Sequence, residues 1–284
     1  MAVHIINLRC PPDGEEVTQN PQAIPPLSSD QSIFLIHGYN DSLADAREAY
    51  ASFLNPSYDQ ALIRSLGPDA SSDYIRALNG DTLESISRWG EICLVFWPAT
   101  VWGVFSAAAY VPELRLAAAS ANALASVLMG IKQTPQPQIA LISHSMGNRL
   151  ALQMLSVSNP AIPCRTMCLM AAAVAVEMVT GTAQPYLWPS IAAIERKRVL
   201  YSKNDDVLKM GFPIGEAFAG EGTSLTAVGH AGDPLYAWTD TKNMRPYGHG
   251  DYWAATNDKD GTTSRDIVLD FLSTTMLSMR PSPA

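Results

Sequence analysis

Five short stretches of the chain are apolar almost without interruption. Residues 32–37 (SIFLIH), 92–97 (ICLVFW), 139–143 (IALIS), 167–173 (MCLMAAA) and 199–202 (VLYS) are rich in branched and aromatic side chains and end at polar or proline-bearing turns, the pattern of buried strands. Because the apolarity is continuous rather than alternating, it predicts a parallel sheet covered on both faces. Helical patterns separate the strands. In 116–131, Leu116, Ala119, Ala123, Val127, Leu128 and Ile131 fall on one stripe, and 43–54, 147–155 and 264–279 read the same way. The last follows TTS, good capping residues, and turns Ile267, Val268, Phe271, Leu272 and Met276 inward.

Strands alternating with helices give an α/β class with a mostly parallel central sheet and helices on both faces. The expected organisation is a single domain over 1–284. Stretches 55–90, 174–196 and 207–247 are too long for simple connections and read as irregular insertions forming a cap, a lid or pocket loops. The second and third carry Pro185, Tyr186, Leu187, Trp188, Phe212, Pro213, Phe218, Tyr236 and Trp238, suited to lining an apolar pocket or to covering the sheet edge. Only the tail, 280–284 (RPSPA), reads as disordered.

Composition narrows the field. With 284 residues, 47 % hydrophobic and 16 % charged, the chain can bury a full core. A net charge of -8 argues against nucleic acid as a partner, which needs a clustered cationic surface. The longest apolar run, 167–176, is far short of the roughly 20 residues of a membrane span. The first residues lack a basic segment followed by an apolar one, so a cytoplasmic location is expected, with secretion of a trimmed form as the alternative. The four cysteines form no CxxC pair and are expected to be buried thiols. No metal site is expected, because histidines and cysteines lack ligand spacing.

Candidate chemistry begins where the strand IALIS ends, at SHSMG. A hydroxyl at a strand-to-helix junction fits a nucleophile elbow, whose strained turn needs small flanking residues. Ser145 is then the nucleophile, Gly147 the small residue after it, and Ser143 stands in the place of the usual first glycine, with His144 packed beside the elbow. An oxyanion needs two backbone N–H donors. Met146, next after the serine, is one candidate. Tyr39 is the other, in a loop where Gly38 permits a sharp turn and His37 holds the backbone rather than acting as a base. Such elbows carry the chain order serine, acid, histidine. YSKNDDVL places Asp205 and Asp206 at a strand's C-terminal end, where ligands gather in open α/β sheets. Of the late histidines, His249 in YGHGDYW is favoured as the base, and His230 is expected to end a strand in a structural role. His4 reads as part of the first strand.

The segments FLIHGYNDSLADAREA, VFWPA, LISHSMGNRLAL, YSKNDDVL and GHGDYW together resemble a bacterial α/β-hydrolase family of largely unassigned function, marked by HGYN and HSMGN motifs and spanning about Ile33 to Trp253. The resemblance implies the α/β-hydrolase fold and a serine triad of Ser145, Asp205 rather than Asp206, and His249. Two positions depart from the family pattern: Ser143, and the MAAAVAVE stretch, which lacks a proline and aspartate. The expected activity is hydrolysis of a small-molecule carboxylic ester with an apolar acyl or aromatic part, by an acyl-enzyme route without a cofactor. Amide hydrolysis and acyl transfer would use the same residues. The other readings are a triad left idle in a ligand- or partner-binding protein, and a lipid-surface enzyme whose lid includes 101–111.

Overall fold

The computed structural model describes residues 2–28, 31–39, 41–99, 107–130, 138–158, 162–180, 187–222, 225–232, 240–254 and 256–277. Its frame is an eight-stranded sheet made of β1 (Val3–Asn7), β2 (Ala23–Ile24), β3 (Gln31–Ile36), β4 (Glu91–Phe96), β5 (Gln138–His144), β6 (Cys164–Met170), β7 (Arg196–Tyr201) and β8 (Asp240–Asn243). The spatial order is β8-β7-β6-β5-β3-β4-β1-β2. Only β2 runs antiparallel to its neighbour, and the other six pairings are parallel. Arg9–Cys10 and Glu16–Val17 form a separate two-stranded ribbon.

The fully apolar strands are the central ones. Ile33 to Ile36 of β3 and Ile139 to Ile142 of β5 are buried throughout, as expected where helices cover both faces. The main helices are α1 (Leu43–Leu54), α2 (Ala107–Gly130), α3 (Met146–Val157), α4 (Phe212–Ala219) and α5 (Ser264–Leu277). Helix α2 packs on α3 and α4, while α1 and α5 are joined through the short helix Asp81–Ser87. No helix among the described residues is long and apolar enough to cross a membrane.

Helix α1 starts where it does because Ser42 closes a capping box: its hydroxyl accepts from Asp45 N at 3.1 Å, and the Asp45 carboxylate accepts from Ser42 N at 3.2 Å. Its apolar face drives Tyr50 into the core, where the hydroxyl accepts from His37 N at 2.8 Å and donates to Val95 O at 2.6 Å. This one side chain ties the ends of β3 and β4 to the helix that follows.

The structure differs from the sequence reading in several places. Stretch 55–90 is not irregular: it contains helices Gln60–Ser65, Ser71–Ala77 and Asp81–Ser87. The buried Arg47 guanidinium explains why they pack, because it donates to the carbonyls of Leu66, Gly67 and Pro68, while Tyr74 OH donates to Arg47 O at 2.8 Å. Stretch 174–196 likewise holds Val176–Thr180 and Trp188–Ala193, and 207–247 holds a π-turn, α4, Val228–Ala231 and β8. The aromatic residues do not converge. Phe212 is core, edge-on to Tyr110, Trp188 and Phe218 face solvent, and Pro185, Tyr186, Tyr236 and Trp238 lie outside the described residues. Most of 101–111 and the tail 280–284 also lie outside them. Three cysteines are buried as expected, but Cys10 is exposed. His230 sits in the helical turn Val228–Ala231 rather than at a strand end, because its N–H turns back onto Ala227 O at 3.0 Å, followed by Ala231 N onto the same carbonyl at 2.9 Å, and neighbouring Gly229 packs so close to β6's extension that a Cβ there would fall 2.2 Å from Ala172 N.

Candidate active site

Strand β5 ends at His144 and α3 begins at Met146, leaving Ser145 alone between them at φ 52° and ψ −125°. A non-glycine residue in such a conformation costs about 1–3 kcal/mol and persists only if its surroundings hold it. They do. Ser145 N donates to Met170 O at 3.0 Å, and Ser145 O accepts from Ala173 N at 3.2 Å. Asn148, fully buried one turn into α3, donates through Nδ2 to Ser145 O at 3.1 Å and Met170 O at 3.0 Å. Its Oδ1 accepts from Ser143 Oγ at 2.7 Å, so the serine that replaces the first glycine has a function as an anchor for Asn148. Gly147 is required by space: a Cβ there would lie 2.2 Å from His37 O.

The turn aims Ser145 Oγ at His249, whose Nε2 lies 2.8 Å away. The opposite ring nitrogen, Nδ1, is 2.8 Å from Asp205 Oδ2. A carboxylate accepts only, so Nδ1 carries the proton and Nε2 presents a lone pair to the serine hydroxyl. Asp205 is fully buried, whereas Asp206 is exposed, and Asp205 Oδ1 is held by Leu208 N at 3.0 Å. The acid loop and the histidine loop are tied together, since Ser202 Oγ donates to Tyr247 O at 2.7 Å. In the histidine loop Gly248 N donates to Asp251 Oδ2 at 2.7 Å.

Two further histidines frame the site without belonging to the relay. His144 Nε2 lies 2.8 Å from His249 O, to which it must donate, and its ring stands 5.1 Å from that of His249. Burial pushes its pKa down to about 4, with the neighbouring His249 acting in the same direction, so it is neutral and serves as a strut for the backbone at His249. His37 is stacked on Trp97 at 5.6 Å, and its Nε2 accepts from Trp97 N at 3.2 Å. Its own carbonyl accepts from Trp97 Nε1 at 3.0 Å. Burial lowers its pKa as well. Gly38 lets these layers approach: a Cβ on it would fall 2.7 Å from His144 Nδ1 and 3.0 Å from Ser145 Cβ. Tyr39 next to it is half-buried, and burial raises its phenol to about 12.

A family model described as "Alpha/beta hydrolase of unknown function (DUF900)" matches residues 19–216, well over half of the chain. The chain belongs to this alpha/beta hydrolase family. No match appears among the curated proteins. The matched span of the hydrolase family includes Gly38, Tyr39, the elbow and Asp205 but ends before His249, so the match does not bear on His249, whose place in the site is given by its distances to Ser145 and Asp205.

Several residues shape the alpha/beta hydrolase site in ways that the sequence alone does not assign. Asn148 closes the HSMGN motif, but nothing in its spacing gives it the role of locking the elbow. The MAAAVA stretch, which departs from the family pattern, is buried from Met170 to Ala175, with Ala171 at φ 44°. It supplies two of the backbone partners of Ser145, Met170 O and Ala173 N. Small side chains suit it because Gly229 packs directly against Ala171 and Ala172. Among the described residues no group of three or more His, Cys, Asp or Glu converges as a metal site.

Proposed function

We propose that the chain cleaves carboxylic esters by the serine route. The observation that carries this reading is the Ser145–His249–Asp205 relay, 2.8 Å at each step, standing on a strained turn that the surroundings hold in place. Ser145 Oγ attacks the ester carbonyl carbon while His249 Nε2 takes its proton. The imidazolium so formed is oriented and stabilised by Asp205. The developing oxyanion is received by the amides of Met146 and Tyr39. The first N–H groups of a helix have no intrahelical partner, which suits the Met146 amide at the start of α3 to this role. Collapse breaks the C–O bond, and the leaving alkoxide takes the proton from His249, giving an acyl ester on Ser145. Water then repeats the sequence through the same base, releasing the acid and restoring the serine hydroxyl.

The test is hydrolysis of p-nitrophenyl esters from acetate to palmitate by the parent chain and by Ser145→Ala. Turnover that disappears with the hydroxyl is the expected result, and full activity in Ser145→Ala would sink the reading. An aromatic acyl pocket draws no support from Trp188 and Phe218, which are exposed, so the chain-length optimum is left for the series to measure.

A further inference from the structure

Helices α2, α3 and α4 meet at a polar junction that the relay does not include. Tyr110 of α2, Arg149 of α3 and Glu216 of α4 are all buried there. Arg149 Nη1 donates to Glu216 Oε1 at 2.9 Å, and its Nη2 donates to Glu221 Oε1 at 2.9 Å, just beyond the end of α4. Tyr110 OH donates to the same Glu216 oxygen. The helices approach closely because Gly215 has no side chain: a Cβ there would fall 2.6 Å from the Tyr110 ring.

A buried ion pair is a poor source of stability, since desolvation of the two charges offsets much of their attraction and an apolar pair of similar volume often serves as well or better. What it adds is direction. Apolar side chains slide past one another, whereas a two-pronged guanidinium contact holds one register.

That register links the two ends of the relay. Arg149 lies one turn after Ser145, on the helix that starts at the nucleophile turn. On the other side the backbone is helical without a break from Asp206, through one turn of π-helix over Val207–Gly211, into α4. Asp205 stands immediately before this rod and is fastened to it twice: its Oδ1 accepts from Leu208 N at 3.0 Å, and its carbonyl accepts from Lys209 N at 3.0 Å. A slide or rock of α4 therefore carries the carboxylate with it. With His249 at 2.8 Å from both Ser145 and Asp205, the junction closes a ring that runs from Ser145 along α3 to Arg149, across to Glu216, back along α4 to Asp205, and through His249 to Ser145. Turns of π-helix recur at functional sites, and this one is the joint of the ring next to the acid.

We propose that Arg149, Glu216 and Tyr110 are positioning residues, which hold the acid loop at the distance from the nucleophile turn that the relay needs. Their part in catalysis rests on the serine-hydrolase reading, while the mechanical link stands without it.

The test is the full chain with its junction made apolar, Tyr110→Phe, Arg149→Met and Glu216→Leu together, so that neither member of the pair is left behind as a lone buried charge. Its urea midpoint should equal or exceed the parent's. On a p-nitrophenyl ester kcat should fall about 10- to 100-fold, the cost of a misplacement of about 1 Å, with KM changed less than about twofold. Amide hydrogen exchange over 203–211 should be faster than in the parent, and exchange in β3 and β5 unchanged. A junction that served stability alone would leave the folded variant with the parent's kcat, a result that overturns the proposal while the serine reading stands. Should the apolar variant fail to fold, Arg149→Lys decides, because it keeps the charge but replaces the two-pronged grip with a single pivot: the same fall in kcat supports the proposal, and the parent's kcat overturns it. If the parent turns over no ester and Ser145 resists a fluorophosphonate, the serine reading falls. The exchange measurement then settles the link, since faster exchange over 203–211 supports it and unchanged exchange overturns it.

Discussion

His37 and His249 each stand before a glycine at the C-terminal edge of the sheet, and each has a carboxylate at Nδ1, Asp41 at 3.3 Å and Asp205 at 2.8 Å. Their other nitrogens decide what they can do. His37 Nε2 is occupied by Trp97 N, the ring is stacked on the indole, and its side chain is fully buried. A proton arriving there would have to break a backbone hydrogen bond in a site that disfavours charge. His249 Nε2 meets a serine hydroxyl, and its side chain is 19 % exposed while its partner Asp205 is fully buried. One pair is buried with both ring nitrogens occupied and holds a loop, while the other leaves Nε2 on a serine hydroxyl next to open space, as the proposed reaction requires. A histidine–carboxylate contact is therefore not evidence of catalysis until the second nitrogen is accounted for.

Removing groups from the two pairs should separate chemistry from stability. Ser145→Ala or His249→Ala should lower kcat on a model ester by about 10³-fold or more, since triad members act as a unit, with the urea midpoint little changed. Asp205→Asn should cost about 10²- to 10⁴-fold in kcat, because the carboxamide no longer fixes the imidazole tautomer. The corresponding Asp41→Asn should change kcat on a neutral ester less than tenfold; a loss as large as that of Asp205→Asn would erase the distinction.

His37→Ala should have the opposite signature. It removes a stacked ring and leaves Trp97 N without an acceptor, so unfolding in urea should show a loss of about 3 kcal/mol. A fully stable variant would mean that the His37 loop is held by other contacts. Asn148→Ala strips the elbow of its side-chain lock and should cost about 2 kcal/mol for the unpaired buried groups. Its kcat should fall as Ser145 relaxes from the strained turn.

A further effect comes from pH. His144 and His37 are both depressed below the ordinary histidine value of 6.5, His144 to about 4. Between those values the unfolded chain binds protons that the folded chain refuses, so stability falls as the pH drops from 6.5 towards 4. The loss is up to about 1.4 kcal/mol per pH unit for each group. Above 6.5 both states hold these rings neutral and the contribution is flat. Thermal melts across this range, with and without His144→Gln, measure it.

What the sequence made legible follows from how strongly each feature is constrained locally. The central strands β3, β4 and β5 could be read because burial on both faces leaves them almost continuously apolar, whereas β6 and β7 were read only from their apolar C-terminal parts, since β7 opens with Arg196, Lys197 and Arg198. The edge strand β8, DTKN, could not, since it is short, polar and paired on one side. The elbow was legible because its backbone allows so few residues, as the crowding at Gly147 makes plain. Asp205 and Asp206 were separated only by the resemblance, and in three dimensions by burial. The helices inside 55–90 were missed because what fixes them is distant, the Arg47 guanidinium on α1 donating to carbonyls of the loop between the first two. Asn148 and Ser143 both stood out in sequence, in the HSMGN motif and at the first-glycine position, but their roles were hidden for a similar reason: they are bonded to one another, and Asn148 to β6, a relation that no spacing along the chain encodes.

The most direct test of Ser145 as an activated nucleophile is exposure of the full chain to an alkyl fluorophosphonate, followed by peptide mass spectrometry. The expected result is one adduct per chain, on Ser145, that disappears in His249→Ala and persists in His37→Asn. No adduct on Ser145, or labelling that is indifferent to His249, would contradict the assignment of the relay.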